Sequence, residues 1–107
     1  MDLFRLTDRR RDEYAAALAD LAGRLPREDF YAGLFADHAR RAREATTLRE
    51  MRQLCRAVAS CYGLRDWGVE TRLIFRADGS LDREATAWFG ESAENVRQLS
   101  HLIWWLM

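Results

Sequence analysis

Two histidines and two cysteines are the residues of this chain best suited to chemistry: His38, Cys55, Cys61 and His101. A histidine offers a base near neutral pH, and a thiolate offers a nucleophile. A Cys–His pair meets in space rather than in sequence, so spacing neither makes nor excludes one. His38 follows Asp37 but falls on an apolar helical stripe, a packing position. The four residues could in principle meet at a zinc ion, yet none of their spacings is that of a short zinc signature. No glycine-rich phosphate loop and no paired-carboxylate motif occurs. The sequence thus predicts no catalytic residue, no cofactor and no metal site, and a protein that is not an enzyme.

A second chemical feature is an arginine stripe. Arg49, Arg52 and Arg56 recur at helical spacing, and none has an acid three or four places away. Their charges must be answered by another element, another chain or an external anion. One reading is a packing seam, with the arginines pairing across it as flanking positions do in helical bundles. The other is a phosphate-facing stripe for nucleic acid, with Arg41 added to the set. Arg40, Arg41 and Arg43 say less, because Asp37 and Glu44 lie within pairing distance.

The elements that must position these residues are helices. The organising stretch runs from Arg27 to Gly63. Tyr31, Phe35, His38, Ala42 and Ala45 step by 4, 3, 4 and 3, and Leu48, Met51, Cys55, Val58 and Tyr62 step by 3, 4, 3 and 4. The two stripes join through a repeated step of three, a phase slip at the β-branched pair Thr46-Thr47. Thr47 and Glu50 have the capping-box spacing. Two helices meeting at a kink or turn are therefore expected, with one bent helix as the alternative. Gly63 suits an αL terminator.

Upstream, Thr7 or Asp8 can cap a helix carrying Tyr14, Leu18, Leu21 and Leu25. Pro26 ends it and can open the next. Leu3, Phe4 and Leu6 are expected to dock on the core. Downstream, Val69, Thr71, Leu73 and Phe75 alternate as a strand does, and Asp78-Gly79 is a turn signal. Little chain remains for a partner strand, so pairing elsewhere or with a second chain is an option, as is a helix over 66–77. Asp82 can cap a helix that Gly90-Glu91 interrupts, and Ser92 can cap another.

The fold expected is mainly α: a single-domain bundle over 1–107 of four to five helices, at about 8–24, 27–45, 48–62, 83–89 and 93–107. One short β strand or hairpin lies near 69–82.

Composition fits a folded domain, with 49% apolar and 32% charged residues. The formal net charge is zero, which removes any bulk pull toward nucleic acid or an anionic membrane. All seventeen basic residues are arginine. Cys55 and Cys61, six apart on a helix, would place their Cα atoms about 9 Å apart, too far for a mutual disulfide. Buried free thiols point to a reducing compartment, and no signal peptide or membrane span is visible, so a cytoplasmic protein is expected.

The last six residues, Leu102-Ile103-Trp104-Trp105-Leu106-Met107, are apolar on every face. Such a helix needs cover. Trp104, Trp105, Leu106 and Met107 are therefore the expected anchors of a protein interface, with Leu73 and Phe75 adding contact by strand edge pairing. A membrane-surface anchor would need a basic belt that this end lacks. The function expected is a small protein-interaction or assembly module, binding a protein partner or forming a homo-oligomer. The alternative is a nucleic-acid-binding subunit using Arg41, Arg49, Arg52 and Arg56.

Leu25-Pro26, Asp29-Phe30, Cys61-Tyr62-Gly63, Val96-Arg97-Gln98-Leu99 and Trp104 are similar, in order, to landmarks of hepadnavirus capsid proteins. That resemblance implies a capsid-like assembly protein. Gly63, Gly68 and the strand-like 69–76 depart from the family's long helical hairpin, and the resemblance supplies no site residues.

Overall fold

A computed structural model of the chain describes residues 6–105. Four helices carry it: α1 (Asp8–Gly23), α2 (Phe30–Glu44), α3 (Leu48–Ala59) and α4 (Arg83–Trp105). The molecule is a mainly α bundle, elongated to 52 × 23 × 20 Å.

Each start has a local cause. Thr7 accepts from the Arg10 amide at 3.2 Å and caps α1. The Thr47 hydroxyl accepts from the Glu50 amide at 3.1 Å, while the Glu50 carboxylate turns back to Thr46. This is the capping box expected at 47–50, shifted back by one residue on its return arm. Ala45 is extended (φ −65, ψ 129), so the phase slip is a true break between two helices. The start of α2 corrects an expectation. It begins at Phe30 rather than at 27, because Asp29 takes the cap and accepts from the Tyr31 amide at 2.9 Å. Residues 27–29 form a turn instead.

α4 is the larger correction. Two helices, 83–89 and 93–107, were expected, and one continuous helix of 23 residues is found. Gly90 costs a helix about 1 kcal/mol relative to alanine, which tertiary packing can override. Phe89 and Ala93 are both in the core, one on each side of the glycine. Ser92 does not cap; its hydroxyl donates to the Asp20 carboxylate on α1 at 2.7 Å. Asp82 does cap, accepting from the Ala85 amide at 3.0 Å.

The strand expected at 69–76 is not formed. Arg65–Trp67 and Val69–Thr71 are 3₁₀ turns, and only one antiparallel bridge, Phe75 to Leu81, closes over Asp78-Gly79. Two contacts fold this segment back onto the end of α3. The Val69 amide donates to the Cys61 carbonyl at 2.8 Å, and the Gly63 amide donates to the Glu70 carboxylate at 3.1 Å. Gly63 takes a left-handed φ of 73°, but it does not end α3: the helix expected over 48–62 stops at Ala59, with Ser60 as its cap.

The core lies where the stripes put it. Tyr14, Leu18 and Leu21 of α1, Phe35 of α2, Met51 and Val58 of α3, and Phe89 and Val96 of α4 are fully buried together with Val69. Leu6 packs at its edge; Leu3 and Phe4 lie outside the described residues. Both cysteines are buried and free. Long-range polar pairs fix the helix directions: Tyr14 meets Ser100, and Asp20 meets Ser92, so α1 runs antiparallel to α4. The Tyr62 hydroxyl donates to the Ala93 carbonyl at 2.7 Å on the α3 side.

His38 is buried in edge-on contact with Phe35, ring centroids 5.8 Å apart, and its Nδ1 has no hydrogen-bond partner. Burial first, and Arg41 second, lower its pKa below the ordinary 6.5. The folded state then binds fewer protons than the unfolded chain below pH 6.5. This group therefore leaves stability intact above that pH and erodes it as pH falls toward the folded pKa. Urea midpoints at about pH 7.5 and about pH 5.5 should differ in the native protein, and the gap should narrow in His38→Leu. A second expectation concerns Gly90, where an added Cβ would meet nothing within 4 Å. Gly90→Ala should stabilise the protein by about 0.5–1 kcal/mol in chemical denaturation.

Candidate contact surface and arginine–tryptophan cleft

α3 and α4 run antiparallel along one seam, and the arginine stripe sits on it. The guanidiniums of Arg52 and Arg56 lie over the Trp104 ring, 5.0 and 5.3 Å from its centroid. The charges are thus answered across a seam, but by an indole face rather than by a carboxylate. Among the described residues, no acid forms an ion pair with Arg49, Arg52 or Arg56. A cation–π contact orients a guanidinium without neutralising it.

Two clefts flank this stack and share Arg56 and Trp104. One, of about 260 Å³, is lined by Arg49, Arg52, Gln53, Arg56 and Trp104. The other, of about 210 Å³, is lined by Cys55, Arg56, Ala59, Ser100, His101 and Trp104. Arg41 does not join them. It lines a separate cleft with Glu44, Ala45, Glu50, Gln53 and Leu54, in acidic company.

Cys55 and His101 therefore share a cleft, but the thiol is not activated. Burial pushes the Cys55 thiol up to about 11, so it stays protonated at neutral pH and is a poor nucleophile. The Ser100 hydroxyl is engaged as well. It donates to the Val96 carbonyl at 2.8 Å, so the Tyr14 hydroxyl, 2.6 Å away, supplies the proton between them. Burial pushes the Tyr14 phenol far up. Cys61 and His38 lie away from this cleft, and among the described residues no group of three His, Cys, Asp or Glu side chains could hold a metal ion.

The apolar end of α4 divides by face. Ile103 is buried, Trp104 is half-buried under the two arginines, and Leu102 and Trp105 are 48% and 77% exposed. Leu106 and Met107 lie outside the described residues. Leu73 and Phe75 are both exposed, flanking Ile74, which turns inward where its amide donates to the Thr86 hydroxyl at 2.9 Å.

Sequence reasoning missed three further exposed aromatics: Phe30, Trp67 and Trp88, the second at 76%. Trp88 was readable in principle. A single helical phase through Phe89, Val96 and Ile103 puts it on another face, a phase that an interruption at Gly90 hides. Phe30 packs beside Tyr31, whose hydroxyl donates to the Trp67 carbonyl at 2.6 Å. Arg72 holds the same corner, 4.8 Å over the Tyr31 ring and 3.2 Å from the Asp29 carboxylate.

No family model, curated protein or solved structure matches this chain. No described helix is long and apolar enough to cross a membrane.

If the guanidinium stack is energetic rather than incidental, Arg52 and Trp104 must be coupled. A double-mutant cycle with Arg52→Gln and Trp104→Leu should give a coupling of about 0.5–1 kcal/mol in urea unfolding. Simple additivity would show that the ring and the arginine are only neighbours.

Proposed function

We propose that this protein is a small, non-enzymatic contact module that acts by binding a protein partner or a second copy of itself. One observation carries the reading. Three of its four tryptophans, Trp67, Trp88 and Trp105, are more than half exposed. Indole is costly to leave in water and dominates interface energetics when buried. Phe30, Leu73 and Phe75 are exposed as well. Trp105 is the best single anchor, since it follows a tryptophan already held by its own fold.

The rival reading, a nucleic-acid-binding subunit, draws less support. Its four arginines do not form one track, because Arg41 sits among acids and the Arg52 and Arg56 guanidiniums rest on Trp104. A chain of zero net charge gains no general attraction to a polyanion.

Light scattering across a dilution series, with native protein and Trp105→Ser, tests the self-association form. The native protein should show mass rising with concentration. The variant should keep its helical content and need at least about thirtyfold more protein to associate, the effect of losing roughly 2 kcal/mol from a hot spot. For a different partner, the same variant should weaken capture by a similar factor. Unchanged association and unchanged capture would refute the anchor role of Trp105. Steeply salt-dependent binding to an oligonucleotide, lost in Arg52→Gln with Arg56→Gln, would favour the rival.

A further inference from the structure

The two clefts beside Trp104 differ in chemistry and share a wall. The floor formed by Cys55, Ala59 and Trp104 is apolar, because the Cys55 thiol is protonated and the Ser100 hydroxyl is already spent on Val96 and Tyr14. This floor offers an incoming molecule apolar contact, and the polar groups of the cleft, Arg56 and His101, stand at its edge. The neighbouring cleft brings Arg49, Arg52 and Arg56 together with no carboxylate paired to any of them among the described residues. Contact with Trp104 at 5.0 and 5.3 Å holds the two guanidiniums in place without using up their N–H groups, which remain free to bind an oxyanion. An apolar slot and a cationic rim thus meet at Arg56.

We infer that this seam binds a small amphipathic carboxylate, with its chain in the apolar slot and its head on Arg52 and Arg56. The slot is small, about 210 Å³, and suits a short alkyl chain rather than a long one; octanoate serves as the probe. A polynucleotide fits less well, since it needs a run of cationic contacts longer than three arginines on one short helix.

The occupant is a single small anion, and the site is separate from the exposed indoles of the contact surface. It stands or falls without the reading proposed above. Arg49, which does not touch the Trp104 ring, draws the head group in rather than holding it.

The test is two-dimensional NMR of the intact chain titrated with sodium octanoate, following the Trp104 indole N–H. Octanol serves as the uncharged match. Octanoate should produce a saturable shift at the Trp104 indole and at amides of 52–59 and 100–104. Octanol should bind at least tenfold more weakly. Arg52→Gln with Arg56→Gln should weaken octanoate binding at least tenfold, whereas Arg40→Gln, paired to Asp37 and Glu44 on α2 and lining neither cleft, should leave it unchanged. Ala59→Trp, at an exposed position, should block the slot without entering the core. Equal shifts at Trp67, Trp88 and Trp105 would mean unspecific apolar adsorption and would overturn the site. So would equal binding of octanol, full binding by Ala59→Trp, or the absence of a saturable shift. An oligonucleotide that displaced octanoate from the same resonances at lower concentration would reassign the arginines to nucleic acid.

Discussion

α4 has to be one unbroken rod, because its two halves are fastened to partners that lie far apart. At about 1.5 Å per residue its 23 residues span about 35 Å, most of the long axis of the molecule. Its first turns are held by the small bridge over Asp78-Gly79, through Thr86 and Ile74, and by Phe89 in the core. Its last turns are held by Tyr14 at Ser100 and by Arg52 and Arg56 at Trp104. If the helix bent at Gly90, one set of partners would lose its register.

That rod also decides which chemistry faces water. α1 and α3 cover two sides of α4 and secure them with buried or half-buried polar pairs: Ser92 with Asp20, Ser100 with Tyr14, and Tyr62 with the Ala93 carbonyl. Each pair satisfies groups that would cost free energy if buried alone. The remaining sides of α4 are left open, and Trp88, Leu102 and Trp105 stand on them. The apolar surface available for contact is thus a consequence of how few helices the chain has.

Much of this was legible in the residues. The stripes of α1, α2 and α3 named the core, and Thr7, Thr47 and Asp82 named the caps, because periodicity and capping are local physics. The failures have a common cause. Gly90-Glu91-Ser92 carries every local sign of a helix break, and Val69 to Phe75 every local sign of a strand. Both signs were overridden by contacts outside the segment itself: Asp20, 72 residues away, for Ser92, and the Cys61 carbonyl at the end of the preceding helix for Val69. The arginine stripe shows the same limit. The sequence showed that Arg52 and Arg56 lack an acid on their own helix, but their partner is a ring some fifty residues away, and no spacing rule reaches it.

The most direct test of this account is amide hydrogen exchange at residues 90–92. An unbroken α4 gives these amides protection of the same order as Val96 and Leu99, since all would open with the helix as one unit. Fast exchange confined to 90–92, with protection on either side, would show two helices joined by a hinge. The link between the bridge at one end and the arginine–tryptophan stack at the other would then be wrong.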